Sequence, residues 1–190
     1  ISPSILPSKS ANAIHVMRMC NAFSKKGIEV DLLCKASGEE YDSIRIFDYY
    51  GIPRGAFKIR PLVRYQSNKL NSLKYGLRTV FHVLKTRYKN IYSRDQLCSL
   101  FILLFSNKRI FIELHSPPTG LYKLVFKIFA NTRRVSKIIL ISEALKQIII
   151  NDLEIGVDDK VLVCHDGADE PSLIDAKVDF KKNNYDVGYV

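Results

Sequence analysis

The chain has 190 residues, of which 47% are hydrophobic and 25% are charged, and its formal net charge is +10. This composition is typical of a globular domain with one main core and excludes a fibrous or intrinsically disordered chain. The longest apolar run, residues 98–105, is well short of the roughly 20 residues that cross a bilayer, so we expect no membrane-spanning helix.

Apolar periodicity predicts strands and amphipathic helices in alternation. After a strand end at Ile1-Ser2-Pro3, the predicted strands are Ile28–Cys34, Phe57–Leu62, Asn90–Ser93, Arg109–Leu114, Lys137–Ile141 and Val161–Cys164. The predicted helices are Asn12–Lys26, Leu70–Tyr88, Gln96–Phe105, Tyr122–Asn131 and Ser142–Leu153. Ser10 and Ser142 are the predicted N-caps of the first and last of these helices. Strands separated by helices indicate an α/β fold with a doubly wound, Rossmann-like parallel sheet.

The composition changes near the carboxyl end of the chain. We expect one domain over residues 1–170 and a polar interdomain linker over 171–185. Residues 186–190 have the pattern of a first strand of a second domain. Because the chain also begins without Met inside a strand end, we expect it to be part of a longer protein.

Basic residues are concentrated in Lys58–Lys89 and Lys123–Lys137, where they alternate with Leu, Phe, Tyr and Ile. This mixture is more typical of a face that lies on an anionic membrane than of a nucleic-acid groove. An ordinary solvated helix face is the alternative. Within this region, the side of the long helix predicted to face the core consists of Leu70, Leu73, Leu77, Val80, Phe81 and Leu84.

Four cysteines lie among apolar neighbours without the spacing of a metal site. We expect them to be small core residues in a protein of the reducing cytoplasm. They are Cys20, Cys34, Cys98 and Cys164.

His115 is the first candidate for chemistry. It follows the apolar strand Arg109–Leu114 directly, and Pro117-Pro118 prevent the strand from continuing. In an α/β sheet, the carboxyl ends of strands face the crevice in which ligands bind. The alternative is a histidine that only shapes its loop through a backbone hydrogen bond.

Two further loops would open onto the same crevice. The loop before the first helix carries Ser8, Lys9, Ser10, Asn12 and His15, which suit a phosphate or a sugar at a helix N-terminus. The loop has no glycine, so it is neither a GxGxxG motif nor a P-loop, and an ordinary polar connection is the alternative.

Arg94 follows the strand Asn90–Ser93 and is a candidate ligand-binding residue. Alternatively, Arg94 and Asp95 pair with each other and cap the next helix. After the last strand, Asp166, Gly167 and Asp169 are candidates for the same crevice, since Gly167 permits a sharp turn. Metal-ligand spacing is lacking, as are GxSxG, CxxC and HExxH motifs.

The order of these segments resembles the N-terminal domain of family-4 retaining glycosyltransferases of the GT-B fold. Ile141-Ser142-Glu143-Ala144-Leu145-Lys146 is similar to the family's "VSEALK" stretch, and His165–Asp169 stands where the family has "NGVD". The other matching segments are Ser8–Val16, Cys20–Phe23, Lys26–Val30, Ile91–Asp95 and Ile112–Pro117. The family's glycine pair in the first loop is replaced by Ser and Lys, and its "NGVD" asparagine is replaced by Asp166.

The resemblance implies one half of a two-domain enzyme that moves a sugar from a nucleotide-sugar to a glycan or lipid-linked acceptor. His115 would lie beside the transferring sugar and position the transition state, without acting as a general base. The acceptor side would include Ser8, Lys9, Ser10, Asn12, His15 and Arg94. Since the donor-binding C-terminal domain is missing from these residues, this chain alone would be inactive.

The same resemblance implies a hexosyltransferase without metal or cofactor, working in bacterial surface polysaccharide synthesis. It would be cytoplasmic, with possible peripheral contact to the inner face of an anionic membrane and without a nucleic-acid partner. Two alternatives stay open. A nucleotide-sugar epimerase of related fold would need carboxylates in the cleft, of which the strand ends show few, and a non-catalytic basic module would bind membrane or nucleic acid.

Overall fold

The computed structural model describes residues 1–38, 42–153 and 159–165, in which seven strands alternate with six helices. The strands are β1 (Ile5–Leu6), β2 (Asp31–Ala36), β3 (Lys58–Arg64), β4 (Ile91–Ser93), β5 (Ile110–Leu114), β6 (Val135–Leu140) and β7 (Val161–Val163). The helices are α1 (Ala11–Lys25), α2 (Ser43–Tyr49), α3 (Lys69–Lys85), α4 (Gln96–Phe105), α5 (Leu121–Asn131) and α6 (Glu143–Leu153). The predicted linker and second-domain strand lie outside the described residues.

All strand pairs are parallel, in the orders β1-β2-β3 and β4-β5-β6-β7. The first residues of the chain connect these two sheets. On one side, Ser2 N donates to Leu33 O at 3.0 Å. On the other, the amino group of Ile1 donates to Tyr92 O at 2.6 Å and Arg94 N donates to Ile1 O at 2.9 Å. The backbone order is therefore β3-β2-β1-β4-β5-β6-β7.

Helices cover both faces of this sheet, as β2 illustrates. Leu32 and Cys34 pack into the core cluster with α1 and α2, whereas Leu33 between them packs into the larger cluster with α3 to α6. Because successive side chains of a strand point to opposite faces, the fold is doubly wound and Rossmann-like, as predicted.

This topology determines where a ligand crevice lies. The chain moves outward from β1 to β3 in one direction and from β4 to β7 in the other. Neighbouring strands β1 and β4 therefore send their connections to opposite sides, which opens a crevice at their carboxyl ends. The loop before α1, the residues after β4 and the end of β5 are at this edge.

The prediction for the long helix α3 is wrong about which side is buried. Its buried residues are Asn71, Tyr75, Gly76, Thr79, Val80 and Val83. Five of the six residues predicted to face the core are exposed instead, namely Leu70, Leu73, Leu77, Phe81 and Leu84. Only Val80 was placed correctly.

Specific contacts explain why the polar and small side of α3 is buried. The Tyr75 hydroxyl donates to the carbonyl oxygens of Ser2 and Leu33, at 2.7 and 2.8 Å. At Gly76 the ring of Phe101 on α4 comes so close that a Cβ would lie 2.8 Å from it. Helix α3 is thus oriented by a tyrosine hydroxyl and a glycine contact.

Three of the four cysteines are buried, as predicted, and Cys164 at the end of β7 is exposed, contrary to the prediction. All four have free thiols. Burial raises the pKa of Cys20 to about 11 and that of Cys34 to about 12, so these two thiols are protonated and act as small core residues. In the described part of the chain, no helix has both the length and the apolarity to span a membrane.

Candidate functional site

Side chains from three elements meet at the crevice. Arg94 follows β4, Glu113 and His115 are at the end of β5, and His15 is in the second turn of α1. The structure therefore brings together three of the predicted site residues, Arg94, His115 and His15. It adds two that were not predicted, Glu113 and Tyr92.

Glu113 is the centre of this cluster, although it belongs to a strand of apolar residues. In β5, Ile110, Ile112 and Leu114 point into the core with α3 to α6. The alternation of the strand therefore sends Glu113 to the opposite face, toward α1. Its carboxylate is only 4% exposed, and a buried charge of this kind requires partners.

Four side chains surround the Glu113 carboxylate. Oε2 accepts a hydrogen bond from the Tyr92 hydroxyl at 2.7 Å and lies 3.5 Å from Arg94 Nε. Oε1 contacts His115 Nε2 in a short hydrogen bond and lies 3.7 Å from His15 Nε2. One carboxylate thus connects β4, β5 and α1.

The titration of Glu113 reflects these partners. Burial alone would raise the pKa of its carboxyl group. The hydrogen bonds from His115 and Tyr92 and the positive charge of Arg94 outweigh burial and lower this pKa below its ordinary value. Glu113 is therefore held as the anion, while burial and the bond to this anion raise the pKa of Tyr92.

The contacts of His115 show which of its ring nitrogens faces a hydrogen-bond acceptor. Nε2 faces the Glu113 carboxylate, which can only accept, so Nε2 carries the proton. With the proton on Nε2, Nδ1 is the ring nitrogen that can accept from Arg94 Nη2, which lies 3.3 Å away. A ligand hydroxyl that donates to Nδ1 would replace this contact, on a side chain that is 32% exposed.

Arg94 is a buried cation whose hydrogen bonds are incomplete. Its side chain is 5% exposed, and neither Nε nor Nη1 has a hydrogen-bond partner in the described part of the chain. The alternative is correct for Asp95, whose carboxylate caps α4 through Cys98 N at 2.9 Å, but Arg94 is paired with Glu113. Both nitrogens are buried, and Nε lies 3.5 Å from Glu113 Oε2, so Arg94 is the buried counter-charge of Glu113.

The loop before α1 is built by its own polar residues. Ser10 is the N-cap of α1, as predicted, and accepts from Ala13 N. Ser8 accepts from Ser10 N through its hydroxyl and exchanges two backbone hydrogen bonds with the Tyr50 hydroxyl. Asn12 donates to Ser4 Oγ at 2.8 Å, and Lys9 is exposed.

These contacts give Ser8, Ser10 and Asn12 structural roles in the loop. They do not test the predicted acceptor-binding roles. The three candidates Asp166, Gly167 and Asp169 lie outside the described residues.

His15, Glu113 and His115 also form a group with metal-ligand atoms within 4.8 Å of one another. Two imidazoles and a carboxylate are a familiar donor set for Zn²⁺. However, the Arg94 guanidinium already lies against both His115 and Glu113. Since a metal cation would be placed beside this buried cation, we assign no metal to the group.

A separate apolar groove of about 450 Å³ opens between β2 and β4 beside Ile1. Its lining includes Val16, Phe23, Leu32, Tyr92 and Phe111. Of the charged residues in the cluster, only Arg94 lines this groove. We therefore locate the candidate site at the strand ends and not in this groove.

The two residues that were missed carried weak sequence signals. Glu113 stands within an apolar run, and an acidic residue in such a run indicates a buried carboxylate that is paired with another side chain. Tyr92 is one of many tyrosines near basic residues and has no distinguishing neighbour.

Comparison with known proteins adds nothing to the geometry, since no protein-family model matches the chain and no relative was found among curated proteins.

Proposed function

We propose that this chain is the acceptor-side half of a retaining glycosyltransferase of the hexosyltransferase type. It would move a sugar from a nucleotide-sugar to a glycan or lipid-linked acceptor, in the cytoplasm, as a step of bacterial surface polysaccharide synthesis. The nucleotide-sugar is a substrate, and the proposal requires no cofactor. The observation that carries it is the Glu113–His115 pair at the switch-point crevice, together with the resemblance of the segment order.

The chemistry assigned to this chain is positioning. In the transfer, the bond between the sugar and the diphosphate breaks, the acceptor oxygen bonds to the sugar carbon, and the acceptor proton passes to the leaving phosphate. His115 would accept a hydrogen bond from a sugar hydroxyl through Nδ1 while Glu113 holds Nε2–H. A ring fixed in this way orients the sugar without further loss of side-chain entropy.

Charge supports the same role. Positive charge develops on the sugar ring during the transfer, and the ionised Glu113 lies directly behind the His115 ring. An anion at that place favours an oxocarbenium-like sugar nearby. Arg94 would bind sugar or phosphate oxygens through Nη2, the guanidinium nitrogen that lies beside His115.

The epimerase alternative is less well supported. An epimerase needs a base that removes a proton from carbon, and such a base works best with a pKa near the working pH. Glu113 is a carboxylate at the crevice, but its pKa is lowered, so it is a weak base. This favours transfer over proton abstraction.

The test is sugar transfer by the full-length gene product with His115→Ala. We expect transfer to fall about a hundredfold, as for lost substrate positioning, while the circular dichroism spectrum is unchanged. His82→Ala is the matched control, because His82 lies on α3 and bonds to Tyr88. Transfer at the wild-type rate in His115→Ala, or an equal loss in His82→Ala, would contradict the assigned role.

A further inference from the structure

The outward side of α3 carries large apolar side chains where a surface helix ordinarily carries polar ones. We define the α3 face as the exposed residues Leu70, Leu73, Leu77, Phe81 and Leu84. Leu70 is 72% exposed and Phe81 is 60% exposed. Isolated exposed leucines are common, but a continuous apolar row on one helix marks a surface that binds something.

The five side chains lie together on the helix surface. Their spacing of three and four residues places them within an arc of about 80° on a helix of 3.6 residues per turn. This arc is opposite to the buried side of α3, which is fixed by Tyr75 and Gly76. Rotating the helix to bury the leucines would break both contacts, so the apolar row is part of the folded state.

The neighbouring helices extend the apolar exposure. Helix α4 packs on α3, and its last turn exposes Leu104 and Phe105. Helix α5 packs on α4 and exposes Leu121, Leu124 and Ile128. The α3 face is therefore at one end of a series of three packed helices that all expose large apolar side chains.

The part of the sequence that contains α3, α4 and α5 is rich in cations and poor in carboxylates. Residues 49–142 contain 18 Lys and Arg but only two acidic residues, Asp95 and Glu113. Asp95 caps α4 and Glu113 is buried in the crevice cluster. On α3 itself, Lys74 and Lys85 are exposed beside the leucines, and the Lys85 ammonium lies 4.1 Å from the centre of the Phe81 ring.

We propose that the α3 face binds the surface of an anionic lipid bilayer. Leucine and phenylalanine enter the boundary between headgroups and acyl chains, while lysines beside them contact anionic headgroups. Neither the apolar side chains alone nor the lysines alone identify the partner. A second copy of this chain would bring two strongly basic surfaces together, and a nucleic acid would leave the leucines without an apolar partner.

The proposal is independent of the assigned reaction. A surface that holds the chain on a membrane would serve a lipid-linked acceptor, but the binding itself follows only from the exposed apolar row and the charge. A protein that binds vesicles and transfers no sugar would therefore leave this proposal intact. Transfer without vesicle binding would leave the proposed function intact.

The experiment is co-sedimentation of the chain with vesicles. We expect binding to vesicles of phosphatidylcholine mixed with phosphatidylglycerol, at least tenfold tighter than to phosphatidylcholine alone, and weaker at high salt. The double variant Leu73→Gln and Leu77→Gln should bind the anionic vesicles at least tenfold more weakly. Lys74→Gln with Lys85→Gln should lower binding to the anionic vesicles only.

Matched controls change the same residue types elsewhere. Ile44→Gln with Ile148→Gln removes two exposed apolar side chains on α2 and α6, and Lys25→Gln with Lys26→Gln removes two cations at the end of α1. We expect both controls to bind like the wild type, and inorganic phosphate at millimolar concentration not to compete.

Equal binding to neutral vesicles, equal loss in the controls or no vesicle binding would overturn the proposal. So would a dimer that the Leu73→Gln and Leu77→Gln variant abolishes, or equally tight binding of an oligonucleotide. Circular dichroism of each variant verifies that the fold is retained. The substituted leucines are exposed, so we expect no change there.

Discussion

The crevice cluster and the α3 face depart from the usual burial pattern in opposite ways. In the crevice, Glu113 and Arg94 are charged and almost fully buried. On α3, Leu70 and Phe81 are apolar and mostly exposed. Buried charge and exposed apolar surface both cost free energy unless a partner is present. The crevice contains most of its partners within the chain, whereas the α3 face has cations beside it and, among the residues that the structure describes, nothing that covers its leucines.

This difference indicates two kinds of recognition in one domain. A set of buried, oriented polar groups selects a ligand by geometry and hydrogen bonding. An apolar row flanked by lysines recognises a surface by area and charge and needs no fixed orientation. The predictions that follow can separate these two regions.

The largest expected effect on stability is in the crevice. Glu113→Gln should lower the free energy of unfolding at neutral pH by about 3 kcal/mol, because it leaves the buried Arg94 cation without its counter-charge. Urea denaturation measures the change. The exposed ion pair of Glu29 with Lys58 offers the control, and Glu29→Gln should leave stability unchanged within error.

The pH dependence of the stability of the same variant tests the ion pair of Glu113 independently. Folding lowers the pKa of the Glu113 carboxyl group. The stabilisation by ionised Glu113 is therefore fully present above the ordinary carboxyl pKa of 4.5, and it is lost as the pH falls through the folded-state pKa. The wild type should therefore approach Glu113→Gln in stability at acidic pH. A difference between the two that grows on acidification would contradict the ion-pair assignment.

A smaller effect tests the orientation of α3. An alanine at Gly76 would gain up to about 1 kcal/mol of helix propensity but would place its Cβ 2.8 Å from the Phe101 ring. Since overpacking costs about 1–3 kcal/mol, we expect Gly76→Ala to destabilise the protein by about 1 kcal/mol.

Whether Gly76→Ala destabilises or stabilises the protein distinguishes the two possible orientations of α3. If the leucine row of α3 faced the core, Gly76 would face solvent and the substitution would stabilise the protein. Thermal unfolding in the Phe101→Leu background provides the matched comparison, because removing the ring should relieve the clash. Stabilisation by Gly76→Ala in the otherwise wild-type protein would contradict the observed orientation.

Local sequence patterns predicted most of the fold. The caps at Ser10 and Ser142 were correct, and they accept from Ala13 N and Leu145 N. Both signals need only residues three positions apart. Helix α2 was not predicted, because it is short and its capping residue Asp42 stands in a loop with no clear periodicity.

The failures depended on contacts that are distant in sequence. Apolar periodicity placed the leucines of α3 inside, but Tyr75 bonds to Ser2, 73 residues away, and orients the helix differently. Glu113 gained its role from Tyr92 and His15, which no local pattern connects to it. His115 and Arg94 could be placed because a strand end in this topology has a defined edge.

The central claim is that Glu113 holds His115 so that Nδ1 accepts from a sugar hydroxyl. Nuclear magnetic resonance of the chain with ¹⁵N-labelled histidine tests this directly, in alkaline buffer and with UDP-glucose and an alkyl glucoside as probes. We predict a protonated Nε2 and an unprotonated Nδ1 for His115 in the free chain. Added probe should change the ¹⁵N chemical shifts of His115 and His15 in a saturable way and leave those of His82 unchanged. A protonated Nδ1 in the free chain, or a His115 that no probe shifts, would contradict the account.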